Sequence, residues 1–189
     1  MASVEEFRSH LEGRITAMAR TQALLTRGAG AGVDLEDLIR EELLTQLAQE
    51  DQVAVTGPAV SLAPKAAEVV TLAIHELATN ALKYGALGQD GGRLEVSWSS
   101  DREGDKDWLH LTWQENGVSF EVPAEPRVGF GTELITRRVP YELRGRGTLD
   151  VLPGGLRCRI EFPLIPGESV FQSDSPVAYR NIPDLEVTS

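Results

Sequence analysis

The order of apolar and polar residues predicts two helices in the first fifty residues. Apolar side chains recur at spacings of three and four between residues 3 and 26, with polar Gln22 as the one interruption, which is typical of an amphipathic helix with one apolar stripe. The run GAGAG at 28–32 ends this pattern, and Asp34 is a suitable N-cap for a second helix, DLEDLIREELLTQLAQ. We expect the first stripe to need a partner surface. It consists of Phe7, Leu11, Ile15, Met18 and Leu25.

The longest helical pattern follows, and the segments after it alternate in polarity. After a short predicted strand, QVAVTG, Pro64 suits the first turn of a helix that should extend to about residue 86. LEVSWSS and WLHLTWQE alternate as strands do, and GTLDVLP and LRCRIEFPL predict two more. Between these pairs lies a short predicted helix, TELITRR, which Pro140 should end or kink.

The order of these elements predicts an α+β fold. Most strands are neighbours in sequence and the helices come before or between them, which favours a two-layer sandwich with a mostly antiparallel sheet covered by helices on one face. We expect an amphipathic helix at 1–27, a glycine-rich hinge at 28–33 and a globular domain at 34–165. The apolar periodicity is lost after that, so 166–189 should form an extended or disordered tail.

Composition narrows the possible functions. Asp and Glu outnumber Lys and Arg by 29 to 18, and no basic run interrupts the excess, so a nucleic-acid partner is not expected. An anionic ligand would need local donors and a divalent cation to overcome the net charge of −11. The single cysteine, Cys158, suits a core position, and the lack of a disulfide framework favours the cytoplasm. No stretch reaches the roughly 18 apolar residues of a membrane span.

One face of the long helix carries candidate chemistry. Glu76, Asn80 and Lys83 lie at positions i, i+4 and i+7, and therefore project within about 60° of one another. Carboxylate and amide oxygens are suitable Mg²⁺ ligands, and a lysine beside them can neutralise phosphate charge. A solvated polar face would have the same spacing. The asparagine favours a function because it is a poor helix former in mid-helix.

Two loops add weaker signals. In GFGTEL, Gly129 and Gly131 precede Thr132, a good N-cap residue, so that backbone N–H groups and the helix dipole would face a phosphate. In WQENG, Glu115 follows a strand and Gly117 suits a turn, so this carboxylate could accept a hydrogen bond from an exocyclic amine. A simple turn and a solvated strand end would give the same two patterns.

Together these segments identify a family. HELATNALKYGAL, WQENG and GFGTELI, in this order, resemble the N, G1 and G2 boxes of the HWE group of sensor histidine kinases, whose letters match His75, Trp113 and Glu115. The resemblance covers roughly residues 5–165. It implies the Bergerat (histidine kinase-type ATPase) fold, with an ATP-binding catalytic domain at 34–165, and protein-histidine kinase activity with ATP and Mg²⁺ as cofactors.

The resemblance also implies roles for individual residues. Glu76 would be the base or the acid that positions water, Asn80 the Mg²⁺ ligand and Lys83 a phosphate contact. Glu115 would read the adenine amino group. For His75, direct contact with the nucleotide and a hydrogen bond within the fold both remain open. The implied nucleotide-binding residues are His75, Tyr84, Glu115, Gly117, Gly129, Phe130, Gly131 and Thr132.

The sequence also departs from the family pattern. Such kinases phosphorylate a histidine in a segment like His-Arg-x-Lys-Asn, and nothing in this sequence resembles it. The first helix instead resembles the second helix of the family's dimerising hairpin, and we expect its histidine, His10, to be exposed and inert. A fragment, or a natural protein acting on a histidine supplied elsewhere, would explain this equally well. Val118 and Ser119 replace a glycine and a proline that relatives often have, which puts closure of the loop in doubt.

The expected function is therefore part of a two-component signal-transduction pathway. The γ-phosphoryl group of ATP would pass to a histidine and then to the receiver domain of a response regulator. A homodimer through the first helix is expected when the hairpin is complete. Two other functions stay open: a non-catalytic phosphotransfer or scaffold protein with a degenerate kinase fold, and a serine kinase of the anti-sigma type.

Overall fold

The computed structural model describes residues 4–27, 32–44, 50–118 and 130–165. The α-helical segments among them are α1 (Val4–Arg27), α2 (Leu35–Leu44), α3 (Pro64–Lys83), α4 (Phe130–Glu133) and α5 (Val139–Leu143). The strands among them are β1 (Val33–Asp34), β2 (Val53–Thr56), β3 (Ser61–Leu62), β4 (Arg93–Glu103), β5 (Lys106–Asn116), β6 (Arg146–Leu152) and β7 (Gly155–Pro163). Single 3₁₀ turns lie at Glu50–Gln52 and Ala86–Gly88.

The main sheet has five strands in the order β2-β4-β5-β7-β6. Strand β2 runs parallel to β4, and the other neighbours are antiparallel, so the sheet is mixed but mostly antiparallel, as predicted. Along β5 the side chains of Leu109, Leu111 and Trp113 are buried in alternation with more accessible ones. The packed helices and the sheet share one hydrophobic core, which confirms the predicted α+β architecture.

Helix α3 lies at the centre of this core. Pro64 occupies its first turn as predicted, and Val70, Ala73, Leu77 and Ala81 are buried. The helix ends at Lys83, earlier than expected.

Helix α1 packs along α3, but of the predicted apolar stripe only Leu25, among the side chains that the structure describes, packs against the core. Leu11, Ile15 and Met18 are 42% to 58% exposed, while Ala17 and Thr21 are buried. The Thr21 hydroxyl lies 2.8 Å from that of Thr71 on α3. The stripe therefore has no complete cover among the described residues, and α1 contacts the domain through a more polar face. This contact depends on side-chain pairs that a periodicity count does not detect.

The segment after β1 agrees with its predicted cap. The Asp34 carboxylate accepts a hydrogen bond from the backbone N–H of Asp37 at 3.0 Å, as an N-cap should. The structure describes α2 only to Leu44; the rest of its predicted extent, residues 28–31 of the predicted hinge and the predicted tail at 166–189 lie outside the described residues. The pairing of β1 with β3 was not predicted.

The short helix before β6 differs from its prediction in two ways. Helix α4 already begins at Phe130, so Thr132 lies inside it and is not the N-cap. A π-helical segment, Leu134–Arg138, then leads into α5, and Pro140 lies in the first turn of α5 without ending the helix. Proline has no N–H to donate to the helical hydrogen-bond pattern, which fits the change of helix type directly before Pro140.

Two expectations from composition can be compared with the structure. Cys158 is buried in β7, where burial raises the pKa of its thiol, as suits a core side chain. Within the described ranges, no helix combines the length and the apolar character that crossing a lipid bilayer requires.

Candidate functional site

The predicted face of α3 meets α4 at Gly131. A Cβ atom at this position would lie 3.4 Å from both the Asn80 amide nitrogen and the Glu76 Cβ, so the backbone of α4 approaches this face closely. The structure therefore brings Glu76, Asn80 and Gly131 together.

Glu76 is buried and is held by an arginine of α1. Its two carboxylate oxygens accept hydrogen bonds from Arg14, at 2.6 Å from Nε and 3.2 Å from Nη2. This two-pronged geometry is the strong form of an arginine–carboxylate pair, and it compensates the burial of the charge. Glu76 lies on the same helix as Asn80 and Lys83, but Arg14 covers its carboxylate, which the spacing did not predict.

Asn80 and Lys83 are exposed. The Lys83 Nζ lies 2.5 Å from Nε2 of His10 on α1. His10 is half-buried, so the expectation that it is exposed is wrong, and its inert role stays a prediction. Helix α1 thus reaches two of the three predicted catalytic side chains.

His75 lies in a second network that joins three helices. Its Nδ1 lies 3.2 Å from the carboxylate of Glu42 on α2, which also accepts hydrogen bonds from Nε and Nη2 of Arg20 on α1, at 3.1 and 2.6 Å. Glu42 is buried, so this charge is satisfied by side chains from both neighbouring helices. The geometry favours a hydrogen-bonding role within the fold for His75.

Glu115 connects the end of β5 to the chain that follows α3. Its carboxylate accepts hydrogen bonds from the Trp113 indole N–H at 3.0 Å and from the Ala86 backbone N–H at 2.9 Å. Burial raises the pKa of Glu115 above its usual value, although both hydrogen bonds act in the opposite direction. A Cβ at Gly85 would fall 1.9 Å from this carboxylate, so only glycine fits there. A contact with an adenine amino group would be additional to these two bonds.

The remaining predicted residues are more scattered. Tyr84 caps the end of α3 and is 72% exposed, and Gly117 has a φ of +73°, a left-handed conformation that favours glycine. The Thr132 carbonyl accepts a hydrogen bond from the Thr136 hydroxyl at 2.7 Å. Phe130 is the first residue of α4, and Gly129 lies outside the described residues.

The sequence of this chain matches those of known histidine kinases. The family model for HWE histidine kinases matches residues 1–59. Blue-light-activated histidine kinase 1 of Erythrobacter litoralis is 36% identical over 170 residues, which cover 85% of this chain and 45% of that protein. The chain belongs to the HWE histidine kinase family. The blue-light-activated histidine kinase of Rhizobium johnstonii is 31% identical over 156 residues, covering 81% of this chain and 43% of that protein. The chain thus spans less than half the length of these relatives.

Solved structures agree on the fold of this HWE family member. The histidine kinase domain of a blue-light activated histidine kinase from Erythrobacter litoralis has a TM-score of 0.61 at 18% identity, covering 82% of this chain and 75% of that one. The ATP binding domain of PrrB from Mycobacterium tuberculosis has a TM-score of 0.50 at 21% identity, covering 70% of this chain and 96% of that one. At these identities the similarity shows the fold alone.

In this HWE family member, each of the three residues that match the family's letters has a hydrogen-bonding partner within the domain. His75 contacts Glu42, and the Trp113 indole donates to Glu115. Sequence reasoning noted all three residues, but it did not identify these partners. Partners on other elements leave no periodic signal in the sequence.

Sequence reasoning also missed the contribution of α1 to the site. Arg14 and Arg20 were not predicted to take part in it, because their carboxylate partners lie on other helices. One signal was available, because Gly13 is a poor helix former in the middle of a predicted helix. A Cβ there would lie 2.9 Å from Nε2 of His75, which explains the need for glycine.

The donor set on α3 fits a metal-bound phosphate chemically. Asn80 is an exposed residue with an amide oxygen of the kind that Mg²⁺ accepts, and the exposed residue Lys83 has an ammonium group that contacts His10 in this arrangement. Gly131 adds a segment of backbone without a side chain beside them. These residue types suit a small polyanion, but in the described arrangement Arg14 holds Glu76 and His10 contacts Lys83.

Proposed function

We propose that this chain is the ATP-binding catalytic part of a two-component histidine kinase and that it directs the γ-phosphoryl group of ATP to a histidine side chain. The observation that carries the proposal is the convergence of Glu76 and Asn80 on α3 with the backbone of Gly131 on α4. Family membership and the shared fold support it. The similarity to a domain named for ATP binding supports ATP as the ligand.

Each side chain on α3 would have a distinct part in holding the nucleotide. Asn80 would donate its amide oxygen to Mg²⁺, and Lys83 would neutralise phosphate charge. Bound Mg-ATP would supply the phosphoryl group and a divalent cation. Local cations matter here because the net charge of the chain is −11, which disfavours any polyanion at long range.

Glu76 would accept a proton from the incoming nucleophile or orient it. A carboxylate suits this role when it lies within hydrogen-bond reach of the group that it activates. In the described arrangement that position is taken by Arg14. Catalysis by Glu76 would therefore require this arginine to move or to be replaced by the nucleophile.

The other predicted contacts remain proposals. His75, Tyr84 and Glu115 would shape the nucleotide site, together with the loop and helix residues Gly117, Gly129, Phe130, Gly131 and Thr132. The proposed protein partner is the receiver domain of a response regulator. The exposed apolar stripe of α1 would support a homodimer with a complete hairpin, because exposed apolar side chains on one helix face favour helix pairing.

A phosphotransfer experiment tests the proposed activity. The chain is incubated with ATP labelled at the γ-phosphate, Mg²⁺ and a separate dimerising hairpin that carries the His-Arg-x-Lys-Asn segment. We expect label on the hairpin that is lost in acid and stable in base, as for phosphohistidine, and no label with Asn80→Ala. Acid-stable label would favour the serine kinase. Bound nucleotide without any labelled protein would favour the scaffold protein.

A further inference from the structure

Helix α1 contacts Glu76 and Lys83, two of the three side chains on the face of α3 that we assign to the nucleotide, while Asn80 stays exposed. We propose that α1 is a self-inhibitory cover, which occupies Glu76 and Lys83 in its docked position and must leave this face before Mg-ATP can bind productively. This inference rests on the proposed function and concerns the regulation of the same site. The contacts between α1 and α3 carry it.

The contacts form one continuous antiparallel register. His10 pairs with Lys83, Arg14 with Glu76 and Thr21 with Thr71, so positions rise along α1 as they fall along α3. Gln22 extends the register by donating to Glu68 at 2.8 Å. The chain thus places a specific polar partner opposite successive turns of α3.

The Arg14–Glu76 pair is the strongest part of this cover. Only 19% of the Arg14 side chain and 6% of the Glu76 side chain are exposed, and two hydrogen bonds join them. A buried carboxylate that loses its partner is left uncompensated, which opposes spontaneous separation of the two groups. While the pair is intact, the Glu76 carboxylate is committed to Arg14.

Close approach of α1 also requires a glycine. Gly13 faces His75, and a Cβ at position 13 would lie 2.9 Å from Nε2 and 3.2 Å from Cε1 of that ring. Glycine lowers the stability of a helix interior by about 1 kcal/mol relative to alanine. The docked position therefore explains a residue that a free helix would not favour.

The cover is built to be reversible. Of the described α1 side chains, Ala17 and Thr21 are buried. The contacts that the long side chains of Arg14 and Gln22 make to α3 are polar. Leu24 and Leu25 pack against the core but are only partly buried, so α1 buries little apolar surface, and the docked and undocked positions can differ by a few kcal/mol. Modest changes in these contacts should then shift the population that is competent to bind.

Isothermal titration with Mg²⁺ and a non-hydrolysable ATP analogue tests the inference on the full chain. We expect Arg14→Ala to bind the analogue roughly tenfold more tightly than wild type, because it raises the undocked fraction. Electrostatics alone predicts weaker binding of the analogue, since the variant removes a positive charge beside a triphosphate. Arg8→Ala is the matched control, because Arg8 is exposed on α1 and pairs with Glu12 on the same helix. It should leave the affinity within twofold.

A second variant changes the fit without changing any charge. Gly13→Ala should also bind the analogue more tightly, because the added methyl group meets His75. Hydrogen exchange then reports docking directly: amides at 10–21 should exchange faster in Gly13→Ala and Arg14→Ala, while amides of β4 and β5 keep their protection. If the β4 and β5 amides of Arg14→Ala lose their protection, this variant is unfolded, and the result for Gly13→Ala alone tests the cover.

The outcomes separate the cover from the proposed function. Tighter binding together with faster exchange at 10–21 supports the cover. If the variant binds the analogue with the same affinity as wild type or more weakly, the cover is overturned, but the proposed nucleotide site is not. Absence of binding heat in every one of these proteins overturns the nucleotide site, and the cover with it.

Discussion

Single carboxylates decide much of the local structure around the site. Glu115 is buried at the end of β5 and receives one hydrogen bond from a side chain and one from the backbone after α3. Burial of such a group is tolerated because both donors are supplied by the fold. Glu115 therefore fixes the chain after α3 against the end of the sheet.

Replacing this carboxylate should cost stability. Glu115→Gln keeps the shape but turns an N–H₂ group toward one of the two donors, so we expect a loss of about 1–3 kcal/mol in the free energy of unfolding. Glu95→Gln, on the exposed side of β4, should stay within about 0.5 kcal/mol of wild type. Urea denaturation measures both. An equal loss in the two variants would contradict the structural role of Glu115.

At the residue scale, the sequence predicts where a side chain lies on its helix better than it predicts which residue the side chain contacts. The spacing of Glu76, Asn80 and Lys83 places them on neighbouring turns of α3, and the structure keeps them on that helix. The burial of Glu76 was not foreseen, because its partner Arg14 lies 62 residues earlier in the chain. Helical periodicity describes one helix at a time and contains no information on such a pair.

At the scale of elements, a histidine links three strands of the sheet. His110 on β5 lies 3.2 Å from Glu161 on β7 and 3.0 Å from Asp101 on β4, with Glu103 at 3.8 Å. Arg146 on β6 also pairs with Glu161 and Glu103. Partial burial acts to lower the pKa of His110, but the hydrogen bonds to Glu161 and Asp101 outweigh it and raise the pKa.

This linkage predicts a pH dependence of stability. A raised pKa in the folded state means that the His110 contribution is fully present below the ordinary value of 6.5 and is lost as pH rises through the folded pKa. The stability difference between wild type and His110→Gln should therefore shrink from pH 6 to pH 9. Urea unfolding of both proteins at each pH measures it, and taking the difference cancels the other histidines. A difference that grows with pH would contradict the assigned sign.

The elements themselves were largely predictable, and the exceptions have physical reasons. Alternating polarity predicted β4, β5, β6 and β7, because one face of each of these strands meets the core. The two-residue strands β1 and β3 are too short to contain a pattern, and only their pairing defines them. The π-helical segment before α5 was missed because a shifted hydrogen-bond register barely changes the apolar spacing.

The whole molecule is strongly acidic, which affects how a nucleotide can bind. With 29 acidic and 18 basic residues, the long-range field repels free ATP. A bound divalent cation changes the sign of the local potential. The proposed site therefore depends on the metal more than a site in a basic protein would.

Removal of the metal should expose this dependence. We expect the affinity for the ATP analogue to fall by about tenfold or more when EDTA replaces Mg²⁺ at constant ionic strength, because the triphosphate then faces the acidic chain uncompensated. Isothermal titration at matched salt measures the change. Equal affinity with and without Mg²⁺ would mean that the α3 face does not use a metal.

The account depends most on α3 binding a metal-bound triphosphate, and titration of wild type against Asn80→Ala tests this most directly. Asn80 is exposed and alanine is the better helix former, so the variant should melt no lower than wild type. We predict Mg²⁺-dependent binding of the analogue to wild type and binding at least tenfold weaker to Asn80→Ala. Equal binding by the two proteins, or no binding by wild type and by the uncovered Arg14→Ala variant, would contradict the account.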